Sequence, residues 1–311
     1  FDRFMDLALY SPKNGYYRSN APIGPAGDYF TSPTAHPVFG TLVAVQLQQM
    51  WEVSGRPPVF TVVEVGAGNG LLARDIAGAA QSIAPDFSRA LRYVSIDYST
   101  KRKLSSDIQP IAAANLPIHG VVGCILSNEL MDAFPVHRFQ VKNGAIQEVF
   151  VGISGAEFVE VLQVPSNAII TDRVQQATGE ELPDGYKGEV SLRISDWVAE
   201  AASALERGFV LTIDYGGTAA ELYSPKRTEG TLRCHYEHVV SNNPYIRVGR
   251  QDITAHVDFT DLKDSGDLCG LEVIGYTTQR EFLHNLGVSS YLEALANNSR
   301  SRSSYSTGAL P

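Results

Sequence analysis

The order of apolar and polar positions along the chain predicts strands that alternate with helices. Residues 59–66 (VFTVVEVG) form a short β-branched run, residues 70–84 repeat apolar positions at helical spacing, and residues 91–99 (LRYVSIDYS) again suit a strand. Residues 119–129 and 208–217 are almost continuously apolar, as strands are when helices cover both faces of a parallel sheet. The pattern therefore predicts an α/β fold with a doubly wound, Rossmann-like sheet.

The same pattern divides the chain into a core and additions to it. After residue 140 apolar and polar residues alternate, and the turn pairs Asn143-Gly144 and Ser154-Gly155 predict an inserted β-meander. A helix then begins near Ile194, and Gly208 is expected to close it. The predicted units are an N-terminal helical and lid segment (1–55), a core built on the predicted sheet (56–140 and 190–216), the inserted β-rich segment (141–189), a substrate-facing helical and loop cap that completes the core (217–290) and a mobile tail (291–311).

Composition narrows the classes of partner. The 311 residues carry a formal net charge of −9, which argues against a general nucleic-acid binder and favours small molecules or protein surfaces as partners. Three widely spaced cysteines in no CxxC pattern suit a reducing compartment. No apolar run approaches the length of a membrane span, so membrane insertion is not expected. A homodimer is the expected assembly if the chain is not monomeric.

Three glycines, Gly66, Gly68 and Gly70, stand between the first predicted strand and its helix. Such a junction is where backbone N–H groups and a helix N-terminus meet the polar groups of a nucleotide. The dinucleotide fingerprint fails, because its third glycine would fall at Leu71, and no Walker lysine follows. The alternative is an ordinary strand-to-helix turn.

Two acids complete this pattern, Glu64 ahead of the glycines and Asp97 at the end of the second strand. The arrangement resembles the first two motifs of the S-adenosylmethionine-dependent methyltransferases. The resemblance implies that the glycine loop lets backbone approach the cofactor, that Asp97 takes the ribose diol and that Glu64 orients the amino-acid end. S-adenosyl-L-methionine is therefore the expected cofactor, with S-adenosyl-L-homocysteine as its product.

Further motifs narrow the resemblance to the MidA family, the bacterial relatives of the mitochondrial complex I assembly arginine methyltransferase. The chain is similar to that family over nearly its whole length except the polar tail, in the motifs GDYFTSP (27–33), SNELMDAFPVHRF (127–139), IDYG (213–216), GTLR (230–233) and DITAHVDFT (252–260). The resemblance implies a methyltransferase fold with an insertion and, for the mitochondrial member, methylation of arginine ω-nitrogens in a protein. It also implies a bacterial cytoplasmic location, or the mitochondrial matrix if the source is eukaryotic.

The residues Asn128, Glu129 and Asp132 follow an apolar strand, where methyltransferases place groups that face the methyl group. Two carboxylates three residues apart could hold a guanidinium by forked hydrogen bonds and aim one nitrogen at the sulfonium. Alternatively, Glu129 caps the next helix and Asp132 is solvated or pairs with Arg138. Asp214 and Tyr215 end another strand at the same edge of the sheet, but a structural turn explains them nearly as well.

Other motifs supply the remaining candidates. The loop that contains Asp28 and Thr31 is expected to fold over the cofactor, although turn chemistry explains it equally well. His256 is a candidate substrate-side base, whereas His235 and His238 have metal-ligand spacing on a helix without a third ligand, so no metal is expected. The predicted catalytic residues are Glu129, Asp132 and His256, and the predicted cofactor-binding residues are Asp28, Thr31, Glu64, Gly66, Ala67, Gly68, Gly70, Asp97, Tyr98 and Asn128.

Three functions remain open at this point. The first is a methyltransferase that acts on a protein side chain, with an arginine ω-nitrogen as the expected acceptor. The second is a small-molecule O- or N-methyltransferase, which would share the core and differ in its substrate mouth. The third is a non-catalytic assembly factor that retains the cofactor fold.

Overall fold

The structure is a computed structural model that describes residues 1–18, 32–99, 104–178 and 181–293. The helices are α1 (Asp2–Tyr10), α2 (Ser32–Ala35), α3 (Val38–Val53), α4 (Leu71–Ile83), α5 (Pro85–Ala90), α6 (Ala168–Thr178), α7 (Arg193–Ala204), α8 (Ala219–Leu222), α9 (Phe259–Leu268) and α10 (Gln279–Asn285). The strands are β1 (Phe60–Val65), β2 (Leu91–Asp97), β3 (Ile108–Ala112), β4 (Val121–Asn128), β5 (His137–Lys142), β6 (Ala145–Ser154), β7 (Glu157–Gln163), β8 (Lys187–Val190), β9 (Leu205–Ile213), β10 (Gly216–Gly217), β11 (Arg233–Tyr236), β12 (Val239–Ser241), β13 (Asp252–Thr254) and β14 (Val257–Asp258).

A parallel sheet of order β3-β2-β1-β4-β9 forms the centre of the molecule. Neighbouring residues of β1 point to opposite faces, so Val62 packs with α3 and α4, whereas Val63 packs with Trp197 of α7. Both faces of the sheet are therefore covered by helices, which is why its strands are nearly continuous apolar runs. The prediction of a Rossmann-like α/β fold is confirmed.

Strand order places a crevice beside β1. The chain leaves β1 through α4 to β2 on one side, whereas β4 pairs with β1 on the other side. This reversal of direction is a topological switch point, and ligands of open α/β sheets bind outside the carboxyl ends of the strands there. The loops that follow β1 and β4 therefore lie next to each other at one edge of the sheet.

Gly208 does not close the preceding helix, contrary to the sequence-based prediction. Helix α7 ends at Ala204, and Gly208 lies within β9 opposite Gly123 of β4. A Cβ atom built on Gly208 would lie 1.9 Å from the carbonyl oxygen of Gly123. The glycine thus serves the close approach of two strands rather than a helix end.

The inserted sheet is antiparallel, in the order β7-β6-β5-β8. Its strands span His137–Val190, so the predicted insert, 141–189, lies inside it. The turn at Asn143-Gly144 joins β5 to β6, and a second two-residue turn begins at Gly155, which confirms the predicted hairpins. Helix α6 stands between β7 and β8 and was not predicted.

The N-terminal helix packs against the C-terminal part of the chain. Met5 and Leu9 of α1 share a buried cluster with Cys234 of β11 and Ile253 of β13, in a small sheet of order β12-β11-β13. This packing brings the tyrosines that follow α1 to the carboxyl edge of the central sheet. Among the helices that the structure describes, none has the length and apolar character needed to cross a membrane.

Candidate active site

A cavity of about 720 Å³ opens at the carboxyl edge of the central sheet. The segments that follow β1, β2 and β4 form its floor, and the tyrosines after α1 and residues of the β11–β13 sheet form the opposite walls. Its volume is in the range of sites that bind small molecules. Most of the residues predicted at these strand ends line the cavity, whereas Gly70 does not.

The glycine loop after β1 contributes one side of the cavity. Gly66, Gly68 and Gly70 all have positive φ angles, of 74°, 52° and 74°, which residues with side chains adopt only at a cost. A Cβ atom on Gly66 would lie 2.8 Å from the side chain of Leu130. The loop therefore needs glycine both for its conformation and for its contact with the turn after β4.

Asp97 ties the end of β2 to the glycine loop. Its Oδ2 accepts a hydrogen bond from the N–H of Gly68 at 2.7 Å, and its Oδ1 accepts one from the N–H of Tyr98 at 2.6 Å. Glu64 is buried in β1, where it accepts a hydrogen bond from the Tyr93 hydroxyl at 3.0 Å. Ala67 and Tyr98 also line the cavity. The structure thus brings the predicted cofactor residues of both strand ends together.

The turn after β4 carries the predicted catalytic carboxylates. Glu129 has a positive φ of 50°, and its N–H donates to the carbonyl of Ile213 at 2.9 Å. Asp132 is 8% exposed and does not pair with Arg138, which instead forms an ion pair with Glu160. Asn128 lines the cavity, and its buried Oδ1 has no hydrogen-bond partner within the described part of the chain.

Burial and mutual repulsion raise the pKa values of these carboxyl groups. Burial raises the pKa of Glu129 to about 7, although a hydrogen bond from the N–H of Ser32, 3.0 Å from Oε1, acts in the opposite direction. The pKa of Asp132 lies well above its usual range, first through burial and then through the charges of Asp214, Asp252 and Glu129. The carboxyl groups of this cluster are therefore harder to ionise than they would be in water, and a bound cation would favour their charged forms.

Aromatic residues that were not predicted line the wall opposite the glycine loop. The Tyr17 hydroxyl donates to Asp252 Oδ1 at 2.6 Å, and the Tyr10 hydroxyl donates to the carbonyl of Ala133 at 2.8 Å. The rings of Tyr10 and Tyr17 stack at 5.5 Å, and the ring of Tyr98 lies 5.4 Å from that of Tyr10. No local motif marks these tyrosines, because the packing of α1 on a distant sheet brings them to the site.

A second unpredicted group lies beyond the end of β3. Ala113, Ala114 and Asn115 line the cavity together with Trp197 of α7. The Nε1 of Trp197 is buried and lacks a hydrogen-bond partner among the described residues. This side of the cavity therefore offers an unused donor to a ligand.

The histidine candidates differ in position. His256 lines the cavity. Partial burial lowers the pKa of its imidazole, and the charges of Arg227 and Arg233 act in the same direction. His235 lies in β11 and His238 in the turn that follows it, so the expected helical spacing was wrong. Asp28 and Thr31 lie outside the described residues.

Within the described ranges, Asp2, His137 and Glu148 have possible ligand atoms within 4.8 Å of one another. None of the three lines the cavity, and His137 Nδ1 is hydrogen-bonded to Glu148 Oε1 at 2.7 Å. Glu148 Oε2 accepts a further hydrogen bond from the N–H of Ser166 at 2.6 Å. Hydrogen bonding accounts for this cluster, and the absence of a metal stays a prediction.

The fold, the glycine loop and the acid at the next strand end define an S-adenosylmethionine-dependent methyltransferase. Residues 42–277 match the family model described as "Putative S-adenosyl-L-methionine-dependent methyltransferase". The chain belongs to that family. The predicted class of enzyme and its cofactor are thereby confirmed.

Individual relatives agree with this assignment. The chain is 27% identical to the mitochondrial protein arginine methyltransferase NDUFAF7 homolog of Drosophila melanogaster, over 94% of this chain and 72% of the relative. It is 28% identical to the protein arginine methyltransferase NDUFAF7 of Homo sapiens, over 95% and 71%. The structure is also similar, with a TM-score of 0.85 and 28% identity, to a protein from Burkholderia thailandensis described as a "likely methyl transferase" and bound to S-adenosyl-homocysteine, over 94% of this chain and 78% of that one.

Proposed function

We propose that the protein transfers the methyl group of S-adenosylmethionine to an arginine ω-nitrogen of a protein substrate. The observation that supports this acceptor is the buried cluster of carboxyl groups around Glu129 and Asp132, which lines the cavity and whose raised pKa values would fall beside a bound cation. A guanidinium is the side chain whose charge and planar donors best match such a cluster. Relatives named as protein arginine methyltransferases support the same acceptor.

The residues of the cavity fit the cofactor. We assign the glycine loop to the close approach of backbone to the ligand, and Asp97 to the ribose hydroxyls. The Asp97 carboxylate lines the cavity at the end of β2, and a carboxylate can accept hydrogen bonds from ribose hydroxyls. The unpartnered Asn128 Oδ1 and the buried Glu64 suit the amino-acid end, with Ala67 and Tyr98 beside them. Asp28 and Thr31 remain candidates for the lid.

The carboxylates supply orientation and a proton acceptor. Bound S-adenosylmethionine provides an electrophilic methyl group on a sulfonium. Glu129 and Asp132 would hold the guanidinium by forked hydrogen bonds, localise its charge and accept the proton that leaves the methylated nitrogen. Glu129 suits the last task, because a pKa of about 7 allows it both to lose and to regain a proton near neutral pH. His256 is a further candidate base at the cavity.

Labelled cofactor separates the three functions. The enzyme is incubated with S-adenosylmethionine that carries a radioactive methyl group and with a cell lysate, and the protein and metabolite fractions are analysed separately. We expect label in protein, on arginine. Label in small molecules alone would favour a small-molecule methyltransferase, and no label with intact cofactor binding would favour an assembly factor.

Charge-neutral variants test the carboxylates directly. Glu129→Gln and Asp132→Asn keep the size of the side chains but remove their charge, so at least one should lower kcat by about a hundredfold or more. Cofactor affinity should stay within about twofold of the wild type, because neither carboxylate is assigned to the cofactor. Glu157→Gln on the exposed face of β7 is the matched control. Normal methylation by both amide variants would contradict the proposal that these carboxylates hold the guanidinium.

Fewer observations support our proposals for the cell compartment and the oligomeric state. The relatives named above as mitochondrial support the mitochondrial matrix for a eukaryotic source, and the bacterial cytoplasm remains our proposal for a bacterial one. A homodimer and the absence of nucleic acid stay predictions. Light scattering of the purified protein and a filter-binding assay with RNA and DNA would test them.

A further inference from the structure

We propose that Asp214 is a positioning residue, whose carboxylate fixes the turn that carries Glu129 and Asp132 into the cavity. The inference rests on the proposed function for its catalytic meaning, because it assumes that these two side chains act on the acceptor. Asp214 follows the last residue of β9 and does not line the cavity itself. Its effect must therefore reach the acceptor through the turn.

The contacts of Asp214 are with backbone N–H groups of that turn. Oδ2 accepts hydrogen bonds from the N–H of Leu130 at 3.1 Å and from the N–H of Met131 at 2.8 Å. Oδ1 accepts one from the N–H of Tyr215 at 2.8 Å. In the part of the chain that the structure describes, no lysine, arginine or histidine forms an ion pair with Asp214. The carboxylate therefore serves the backbone of the turn and not a neighbouring cation.

The turn needs such support because its backbone is strained. Glu129 adopts a left-handed φ of 50°, a conformation that costs a residue with a side chain of order 1–2 kcal/mol when nothing compensates it. The last pair of β4 and β9 joins Asn128 to Ile213, so Glu129 and Asp214 leave the sheet side by side. Strand pairing thus places the Asp214 carboxylate next to the N–H groups that follow Glu129.

Hydrogen bonds and strand pairing hold the backbone next to Asp214 in place. The carbonyl of Tyr215 accepts a hydrogen bond from the N–H of Val257 at 2.8 Å, and Gly216 and Gly217 of β10 pair with β14. A Cβ atom on Gly216 would lie 2.1 Å from the carbonyl oxygen of Val257, so the two segments are in close contact. The anchor of the turn is therefore held from both sides, by β9 and by β14.

The charge of Asp214 also acts on the groups that it positions. It contributes to the raised pKa values of Glu129 and Asp132, and burial raises its own pKa to about 6 against the effect of its N–H donors. Among the described residues, the titratable groups near this cluster include Asp252 of β13, Tyr10 of α1 and Tyr215. Burial and the same carboxylates raise the pKa of Tyr215 to about 12. Removing the charge of Asp214 should therefore lower the pKa values of Glu129 and Asp132.

Two substitutions separate the geometric role from the electrostatic one. Asp214→Ala removes the acceptor oxygens, so the turn should relax and kcat should fall about tenfold to a hundredfold, while affinity for S-adenosylhomocysteine changes less than about twofold. Asp214→Asn keeps one acceptor oxygen, so it should restore kcat at the optimal pH to within about threefold of the wild type. The acid limb of the pH–rate profile of Asp214→Asn should move to lower pH by about half a unit or more, because the neighbouring negative charge is gone.

Asp184 offers a matched control in the inserted sheet. Its carboxylate holds the β5–β6 turn in the same way, by accepting the N–H groups of Asn143 at 3.1 Å and Gly144 at 2.9 Å, but it does not line the cavity. Asp184→Ala and Asp184→Asn should leave both kcat and the acid limb unchanged. Equal effects at the two sites, or wild-type kinetics in Asp214→Ala, would overturn the positioning role.

A measurement without substrate keeps this inference separate from the proposed function. Carbon-13 NMR titration of side-chain carboxyl groups should show lower pKa values for the Glu129 and Asp132 pair in Asp214→Asn than in the wild type. If that shift occurs while no arginine is methylated, the proposed acceptor is wrong and the coupling stands. If arginine is methylated but the titration and the pH profile of Asp214→Asn match the wild type, the positioning inference is wrong and the proposed function stands.

Discussion

Strands β2 and β4, the two neighbours of β1, both end next to carboxylates, but the surroundings of these carboxylates differ. After β2, Asp97 accepts N–H groups of Gly68 and Tyr98 on its two oxygens. After β4, burial raises the pKa values of Glu129 and Asp132, and the nearby charge of Asp214 raises both further. The β2 end therefore suits neutral hydroxyl donors, whereas a cationic ligand would stabilise the charged forms of the carboxyl groups at the β4 end.

This difference separates binding from chemistry within one cavity. A substitution at the β2 end should change cofactor affinity without altering the pH dependence of the reaction. A substitution at the β4 end should change the rate and its pH dependence but spare cofactor affinity. The three predictions that follow test this division, from the largest expected effect to the smallest.

Gly68→Val should abolish cofactor binding. Gly68 has a φ of 52°, and its N–H is bound to Asp97, so a β-branched side chain would distort the loop and fill the space that the ligand needs. We expect affinity for S-adenosylhomocysteine to fall by about a hundredfold or more in calorimetry. Gly78→Val is the control, because a Cβ atom at this position in α4 would meet nothing within 4 Å. Wild-type affinity in Gly68→Val would remove the loop from the site.

Asp97→Ala should weaken cofactor binding by a smaller amount. A hydrogen bond to a charged group contributes about 1.5–3 kcal/mol, so the Kd should rise by roughly one to two decades. The acid limb of the rate should stay where it is in the wild type, because Asp97 belongs to the β2 end. Asp86→Ala, at an exposed position in α5, provides the comparison. A change in Kd of less than about twofold would mean that Asp97 only supports the loop.

Glu129→Gln should stabilise the ligand-free protein at alkaline pH. The pKa of Glu129 rises from 4.5 to about 7 in the folded state, so the folded protein binds more protons than the unfolded chain between these values. The free energy of unfolding therefore falls as the pH increases through this window, and glutamine avoids the loss. Because the side chain is partly exposed, we expect a gain of only about 1 kcal/mol at pH 8, or roughly 3 °C in Tm.

Thermal unfolding at two pH values checks this last prediction. The gain should disappear near pH 4, where glutamate is protonated in both states. Glu157→Gln, at an exposed position of β7, should show no gain at either pH. Equal stabilities of Glu129→Gln and the wild type at pH 8 would show that ionised Glu129 does not lower the stability of the folded protein.

Much of the central sheet could be predicted from the sequence, because β1, β2, β4 and β9 are apolar runs bounded by turn residues. Strand β3 (IQPIA) escaped prediction, since it is short, contains Pro110 and lies at the sheet edge with mostly exposed residues. Helix α6 has few buried residues and gives a weak periodic signal. The sequence therefore reveals elements in proportion to the apolar surface that they bury.

Some residues of the candidate site could be predicted from local sequence motifs, and others could not. Glu64, the glycines, Asp97 and Glu129 stand in local motifs next to predicted strand ends, so their proximity follows from the parallel sheet. The contact of Asp214 with Leu130 joins residues 84 positions apart, and that of Tyr17 with Asp252 joins residues 235 apart. Such contacts depend on tertiary packing, which no local pattern encodes.

The bond between Tyr17 and Asp252 has a consequence for biosynthesis. Because Tyr17 and Asp252 both line the cavity, a ribosome must add 235 residues after Tyr17 before this bond can form. Contacts between distant residues form late, after the loops between them have closed. The growing chain can therefore form much of its central sheet before the pocket is complete, because the pocket must wait until β13 has been made and α1 can dock onto the β11–β13 sheet.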